Sequence, residues 1–412
     1  MMLFLETINW IIVGIVALFL VLPLIFNLIY LFKMVLSGGE KKLDSVAEQP
    51  QWGNIITAYK GNIHSVRELL DSIQEAPNHG DVYVVADQCA EVETGWFKDY
   101  PNVKFLIPPT GLNAKVRSFE YALDAMDDTI ETVVVFDPDN RVTKGFYTAL
   151  SEYLAKGYAI VQGKRTAKNN NSTYAKLDSV GEIYKNHVER KVPFQLGSSC
   201  TISGSGMAMS KGLFQSFLHH YKTKTEGRKV ILGEDKMLQN YVLENGGRIA
   251  FAEEAVILDA KVDNGKQLEK QRARWVGAYF ENLGDVIKLV TSGLVSSWNQ
   301  LVIGLLSAIP PLFILVGGAA VLTIPSFFIN PLATLLLVLA VVLFGFNFLL
   351  SLKLSDAGKE VWLSLFRIPA LLYRQVKSLF LLSKTKHDFM VTTYHQQEQM
   401  NYQGVNQEET VA

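Results

Sequence analysis

The chain has only two cysteines, Cys89 and Cys200. Two cannot build a disulfide scaffold, a structural zinc site or an iron–sulfur cluster, and a reducing compartment suits them. Cys89 reads as a small buried residue. An excess of charge of either sign is also lacking. Lys and Arg total 39 and Asp and Glu total 40, for a net charge of −1, which argues against a nucleic-acid binder working through bulk charge. The seven histidines show no metal-ligand spacing, and the adjacent His219 and His220 read as surface residues. No internal repeat is present. The most informative absence is local: no charged residue lies between Asn9 and Phe32, or between Gln300 and Leu352. Uncharged stretches of that length exclude a purely soluble protein.

Ile8 to Phe32 is long and apolar enough to cross a bilayer. Its length and the lack of a basic segment before it argue against a cleaved signal peptide. Leu301 to Leu322 reads as a second span kinked at Pro310 and Pro311, and Leu332 to Leu352 as a third. A short uncharged loop containing Pro325, Asn330 and Pro331 would join these two. Lys33, Lys41 and Lys42 follow the first span, and Lys353 and Lys359 follow the third. The positive-inside rule therefore puts the N-terminus outside, and the region from Lys33 to Gln300 and the C-terminus in the cytoplasm. Glu360 to Leu382 is apolar but carries Arg367, Arg374 and Lys377. At helical spacing these lie within about 80° of one another, as in an amphipathic helix lying on the membrane with a basic face. A fourth span is the alternative reading. The polar tail from Gln396 has the composition of a disordered segment.

The block between the first two spans alternates strand and helix patterns. Strands are expected at Asn54–Tyr59, Asp81–Ala86, Thr132–Phe136 and Ala159–Gln162, and helices at Val66–Ile73 and Val116–Ala125. This predicts an α/β fold whose mostly parallel sheet has helices on both faces. Ligands then bind beyond the C-terminal ends of the strands.

Three motifs carry chemistry. In VVVFDPDNRV a hydrophobic strand ends in Asp137 and Asp139. Carboxylates at such an edge can hold a hard divalent cation against a diphosphate, although Asp-Pro-Asp-Asn is also good turn chemistry. Gly233-Glu234-Asp235 precedes a helical run. Its acids serve either as helix caps or as a general base for an acceptor hydroxyl. Gln271, Arg272, Ala273, Arg274 and Trp275 form either a charged surface helix with an interfacial Trp or a site. In the second case Arg274 neutralises a diphosphate and Trp275 offers a flat face to a sugar. The glycines near Ser203–Gly206 lack the strand–helix context of a dinucleotide fingerprint.

In order and spacing these motifs resemble those of family 2 glycosyltransferases, in the membrane-embedded branch with the cellulose, hyaluronan and poly-N-acetylglucosamine synthases. The resemblance runs from about Trp52 to Gly284 and, more weakly, to the Lys386–Tyr394 segment. It implies a GT-A type catalytic domain in which Thr57 and Tyr59 hold a uracil ring. Asp87 would contact the base or ribose, and Lys115 would lie near the donor phosphates. Asp137 and Asp139 would be the DxD acids, the second a direct ligand of Mg²⁺ or Mn²⁺. Gly204, Ser205 and Gly206 would border the acceptor, with Asp235 the catalytic base and Glu234 beside it. Gln271, Arg274 and Trp275 would form the QxxRW motif. The chain departs from the family where TAYKGN replaces PAYNE, ADQCAE replaces the usual DDGS, GEDK replaces TED, and Phe389 stands for a closing Trp.

The expected organisation is a transmembrane helix (1–32), a catalytic domain (33–266), a QxxRW interfacial region (267–299), two transmembrane helices (300–353), an interfacial segment (354–395) and a tail (396–412). The expected activity is inverting transfer from a UDP-sugar donor to a hydroxyl, building a β-linked exopolysaccharide at the inner (plasma) membrane. Three spans are few for an export pore, so a homo-oligomer or an export partner would supply the rest. Two other readings stay open. One is transfer of a single sugar to a membrane lipid, since the same motifs occur in ceramide glucosyltransferases. The other is a non-catalytic nucleotide-binding membrane scaffold.

Overall fold

The computed structural model describes residues 2–37, 48–89, 94–227 and 233–381. Lys41, Lys42, Phe389 with the rest of the Lys386–Tyr394 segment, and the tail from Gln396 lie outside the described residues.

In chain order the elements are α1 (Met2–Ser37), β1 (Trp52–Tyr59), α2 (Val66–Glu75), β2 (Asp81–Asp87), β3 (Val103–Leu106), α3 (Lys115–Asp124), β4 (Thr132–Phe136), β5 (Arg141–Val142) and α4 (Phe146–Leu154). Next come β6 (Ile160–Ala167), α5 (Thr173–Lys185), α6 (Val192–Gln195), β7 (Met207–Ser210), α7 (Lys211–Thr225), α8 (Glu234–Glu244) and β8 (Ile249–Asp259). The C-terminal helices are α9 (Gly265–Ser296), α10 (Trp298–Ala308), α11 (Leu312–Ile329), α12 (Pro331–Leu354), α13 (Lys359–Ser364) and α14 (Ile368–Leu379).

The eight strands form one sheet in the order β3-β2-β1-β4-β7-β6-β8-β5. The pairs β1–β2, β1–β4, β2–β3 and β6–β8 are parallel, and β4–β7, β6–β7 and β5–β8 are antiparallel. The sheet is thus mixed and mostly parallel, as its alternating pattern predicts. Strand periodicity sends alternate residues of β4 to opposite faces. Val133 and Val135 join Ile55, Phe119, Phe214 and Phe217 on one face. Val134 and Phe136 join Leu69, Leu70, Phe146 and Leu150 on the other. The first of these layers also takes in Phe26 and Tyr30 of α1 and Val302, Ile303 and Leu306 of α10. One end of α1 is therefore part of the core of the sheet domain.

Among the described residues three helices, α1, α11 and α12, are long and apolar enough to cross a membrane. They pack together through Val13, Leu20, Leu315, Ala319, Leu337 and Ala340. The expected span Leu301–Leu322 is corrected. Pro310 and Pro311 lie between two helices rather than inside one, so α10 ends at Ala308 and α11 begins at Leu312. α10 buries its apolar face in the core of the sheet domain and binds it through polar side chains. Asn299 Oδ1 accepts the Ser199 N–H at 2.6 Å, and Gln300 Nε2 donates to the Leu243 carbonyl at 2.8 Å. Pro325, expected in the following loop, lies inside α11.

The amphipathic stretch from Glu360 is likewise not one helix. A 3₁₀ turn at Leu365–Arg367 divides it, and Pro369, which lacks an N–H, sits in the first turn of α14. Its basic residues do not all face outward. Arg374 Nη1 pairs with Glu269 Oε1 at 2.8 Å, and Arg374 Nε donates to the Tyr174 hydroxyl at 3.3 Å. The outward side carries Phe366, Tyr373, Val376 and Phe380.

Candidate active site

β4 lies near the middle of the sheet, so the turn that follows it opens at the C-terminal edge. Asn140 closes that turn. Its Oδ1 accepts the Asp137 N–H at 3.0 Å, and its own N–H donates to the Asp137 carbonyl at 3.1 Å. Asp139 is 5 % exposed. Burial, with Asp259 and Asp137 nearby, pushes its carboxyl up to about 8. A buried carboxylate crowded by like charge is a group that a divalent cation would stabilise. The donors at Asp137 and Asp139 are hard oxygens suited to Mg²⁺ or Mn²⁺. No set of three or more His, Cys, Asp or Glu residues surrounds one point among the described residues, so further ligands would have to come from a substrate or water.

Lys115, the first residue of α3, reaches across this edge. Its Nζ donates to Asp137 Oδ1 at 2.6 Å and to the Gly204 carbonyl at 3.2 Å. Burial alone would lower its ammonium, but Asp137, Glu234 and Asp235 outweigh burial and raise it. Gly204 has φ +76°, and a Cβ there would sit 3.5 Å from Asp235 Cβ. Gly206, with φ +59°, has no room for a side chain, since a Cβ would lie 2.2 Å from Ile257 Cδ1. This loop therefore passes close to the start of α8, where Gly233 at φ +88° turns the chain into Glu234 and Asp235. Burial raises the Glu234 carboxyl. Lys115 pulls it back, and Asp235 and Asp137 push it further up.

The structure brings Lys115, Asp137, Glu234, Asp235 and Gly204 into one group, with Asp139 and the Ser205–Gly206 backbone beside it. Asp87, expected to contact the base or ribose, anchors backbone in this structure. It is 2 % exposed, and its two oxygens accept the N–H groups of Leu112 and Asn113 at 2.9 and 3.0 Å. It thereby anchors the loop leading to α3. Thr57 and Tyr59 lie at the end of β1, and the Tyr59 hydroxyl is 3.5 Å from Asn113 Oδ1. Gln88 Nε2 donates to that same oxygen at 2.6 Å. Lys60, Gln88 and Asn113 all have positive φ, so backbone strain collects at this edge. Cys89 is half-buried rather than fully buried, and its thiol donates to the Lys60 carbonyl at 3.3 Å.

The QxxRW residues lie together on α9. Among the described residues, no hydrogen bond or ion pair joins Gln271, Arg274 or Trp275 to the Lys115–Asp137 group. Trp275 is 39 % exposed, with Arg272 stacked 4.2 Å and Lys185 5.2 Å from its ring centre. Arg272 in turn pairs with Asp178. Gln271 Oε1 is buried without a partner. His219 and His220 lie on α7, with the His220 ring 5.0 Å from that of Tyr241. Sequence reasoning missed Asn140, Asp259 and Arg165. Asn140 stands inside the quoted DPDN, where an amide three residues after a turn acid is a visible signal.

A family profile described as "Glycosyltransferase like family 2" matches residues 50–278. No curated protein matches the chain. Among solved structures, the mannosyltransferase PcManGT from Pyrobaculum calidifontis, in complex with GDP-Man and Mn²⁺, is similar at 15 % identity and a TM-score of 0.52, covering 90 % of this chain and 99 % of that one. S. aureus TarS aligns at 15 % identity and a TM-score of 0.40, covering 58 % of this chain and 40 % of that one. The TarS fragment 1–349 aligns at 14 % identity and a TM-score of 0.42, covering 84 % of this chain and 93 % of that one. The profile takes in more than half of the chain, and the PcManGT likeness agrees with the GT-A type sheet: this protein belongs to glycosyltransferase family 2.

Proposed function

We propose that the protein is an inverting membrane glycosyltransferase that moves a sugar from a nucleoside-diphosphate donor to a hydroxyl. The observation that carries this reading is the convergence of Asp235, Lys115 and the Asp137 turn around Gly204. In it, Lys115 neutralises donor phosphate, and the same cation holds the turn and the Gly204 loop together. Asp235 accepts the proton of the acceptor hydroxyl as that oxygen attacks the face opposite the leaving diphosphate. One base with no protein nucleophile gives inversion, hence a β-linkage from an α-linked donor. A divalent cation held by Asp139 and Asp137 would supply Lewis-acid stabilisation of the leaving group. Thr57 and Tyr59 would border the base, Asp87 would fix the loop beside it, and Gln271, Arg274 and Trp275 would close over the diphosphate and acceptor end. The donor proposed is a UDP-sugar, the catalytic domain is cytoplasmic, and the product is a β-linked exopolysaccharide. A second reading, one sugar added to a membrane lipid, is favoured by the presence of only three span-length apolar helices among the described residues.

The test uses the full chain in lipid nanodiscs with Mn²⁺ and a panel of radiolabelled UDP- and GDP-sugars. High-molecular-weight product supports the polymer reading, whereas label confined to the lipid extract supports the second. Asp235→Asn should bind the donor nucleotide normally and lose about 10²–10⁴-fold in transfer rate. Normal turnover by that variant would remove Asp235 as the base.

A further inference from the structure

The Asp137–Asp139 turn is held from outside by residues distant in sequence. Asn140, fully buried, spends its carbonyl oxygen on the Asp137 N–H. Its amide nitrogen donates to Asp259 Oδ1 at 3.1 Å. Asp259 is the last residue of β8 and is 6 % exposed. Its other oxygen accepts from Arg165 Nη2 at 2.6 Å and from Lys261 Nζ at 3.0 Å. Arg165 makes one more bond that matters, from Nη1 to the Ser203 carbonyl at 2.9 Å. Ser203 opens the loop whose Gly204 carbonyl receives Lys115. Asp259 therefore touches neither reacting group, yet it grips Asn140 under the acidic turn and Arg165 under the acceptor-side loop.

We propose that Asp259 is a positioning residue of the transfer reaction, fixing the acidic turn through Asn140 and the Ser203–Gly206 loop through Arg165. This rests on the reading of Asp137 and Asp139 as the donor-binding acids. Charge-assisted bonds of this kind are strong and directional. Freed from Asp259, Asn140 loses the acceptor for its amide nitrogen and the turn gains freedom that donor binding must then remove. The cost falls on donor affinity. Chemistry on the bound donor still has Asp235 in place.

The experiment is a double-mutant cycle on the full chain in nanodiscs with Asn140→Ala, Asp259→Asn and the pair. Mn²⁺-dependent binding of UDP and of GDP is measured by calorimetry, followed by KM and kcat with the donor the panel identifies. Each single variant should weaken nucleotide binding and raise donor KM about tenfold, a change of about 1.4 kcal/mol. Each should lower kcat less than about threefold. The pair should be no more than about twofold worse than the poorer single variant, because both changes release the same turn. Unchanged donor KM in Asn140→Ala overturns the proposal even if Asp259→Asn fails to fold, since Asn140→Ala leaves the Asp259–Arg165 pair in place. Fully additive losses overturn it too, as does a fall in unfolding temperature with KM unchanged. Asp139→Ala separates the two levels. If it binds nucleotide like the parent, the reading of the acids is wrong. If it loses binding while Asn140→Ala keeps it, only the role of Asp259 is wrong.

Discussion

Glu234 and Asp235 are neighbours at the start of α8 but meet different surroundings. Burial raises the Glu234 carboxyl, and the charges of Asp235 and Asp137 add to that against the pull of Lys115. Burial thus disposes Glu234 to keep its proton, and Asp235 is the acid whose side chain lies beside the Gly204 loop. Glu234→Gln should therefore retain transfer within about tenfold, where Asp235→Asn should lose about 10²–10⁴-fold. Steady-state rates that fall equally in the two variants would reverse the assignment. A second single-residue prediction concerns Glu182. Its oxygens pair with Arg190 at 2.8 Å and with Lys261 at 3.2 Å. Burial alone would raise this carboxyl, but Lys261, Arg190 and Arg165 outweigh it and hold it well below the ordinary 4.5. A depressed carboxylate contributes stability that is fully present above its unfolded value and is lost as the pH falls through its folded value. Glu182→Gln should cost about 3–5 kcal/mol near neutral pH, because buried Arg190 loses its carboxylate partner and buried Lys261 keeps only Asp259. Its unfolding temperature should approach that of the parent as the pH falls below about 4. A gap that stays constant with pH would show that the charge of Glu182 is not what matters. The sequence displays Asp137, Asp139 and Asp235 because each stands in a short motif at the end of a hydrophobic pattern. Glu182, Asp259 and Arg165 stand in no motif. Their partners come from distant parts of the chain, so only the assembled sheet shows what they do.

α10 shows where sequence patterning misleads at the scale of an element. From Leu301 to Ile309 the chain is as apolar as a membrane span, and hydropathy alone assigns it to the bilayer. Two features decide otherwise: the Pro310-Pro311 break, and the three polar side chains Asn299, Gln300 and Ser307, which find partners on the catalytic core. By contrast, β1, β2 and β4 and the helices α2 and α3 are legible in the sequence to within a few residues. Each is a short run with one clean period and a turn at its end. The return of α10 along α9 depends on glycine. A Cβ at Gly293 would lie 2.3 Å from the Leu301 backbone nitrogen, and one at Gly304 would lie 3.0 Å from the Val290 nitrogen. Backbone cannot move aside as a side-chain tip can. Gly293→Ala should therefore destabilise the protein by about 1–3 kcal/mol or more. Gly284 lies on the same helix with nothing within 4 Å of a Cβ. There the same change should stabilise by about 0.5–1 kcal/mol through helix propensity alone. Thermal unfolding of the two variants in one detergent checks the pair. Equal shifts would mean that the α9–α10 contact is not close.

For the whole molecule, the question is how the apolar helices are fixed to the catalytic domain, and the answer turns on Asn27 of α1. It is completely buried. Its Nδ2 donates to Asn347 Oδ1 at 3.1 Å and lies 3.4 Å from Ser351 Oγ, both on α12. Its Oδ1 meets His187 Nε2 at 3.1 Å. His187 belongs to a π-helical turn, Asn186–Lys191, between α5 and α6. π-Turns are rare and collect at functional places. Next to it, the Tyr184 ring stacks 5.1 Å from Phe348 of α12. The same turn carries Arg190, which pairs with Glu182 and so reaches Lys261 and Asp259. One side of the turn faces the apolar helices, and the other faces the charged cluster beneath the acidic turn. Polar contacts of this kind between apolar helices are worth about 0.6 kcal/mol each, and seldom above about 1.7. Asn27→Leu should therefore leave the protein folded but loosen this junction, since His187 and Asn347 lose a shared partner. Hydrogen exchange at the backbone amides of residues 186–191 should speed up by about fivefold to thirtyfold, corresponding to about 1–2 kcal/mol of local opening. The amides of β4, buried in the middle of the sheet, should exchange as in the parent. Unchanged exchange at 186–191 would mean that the apolar packing of Phe26, Tyr30 and Phe348 holds the helices to the domain without the help of Asn27. An equal rise across β4 would mean that Asn27 supports the stability of the whole domain rather than this junction.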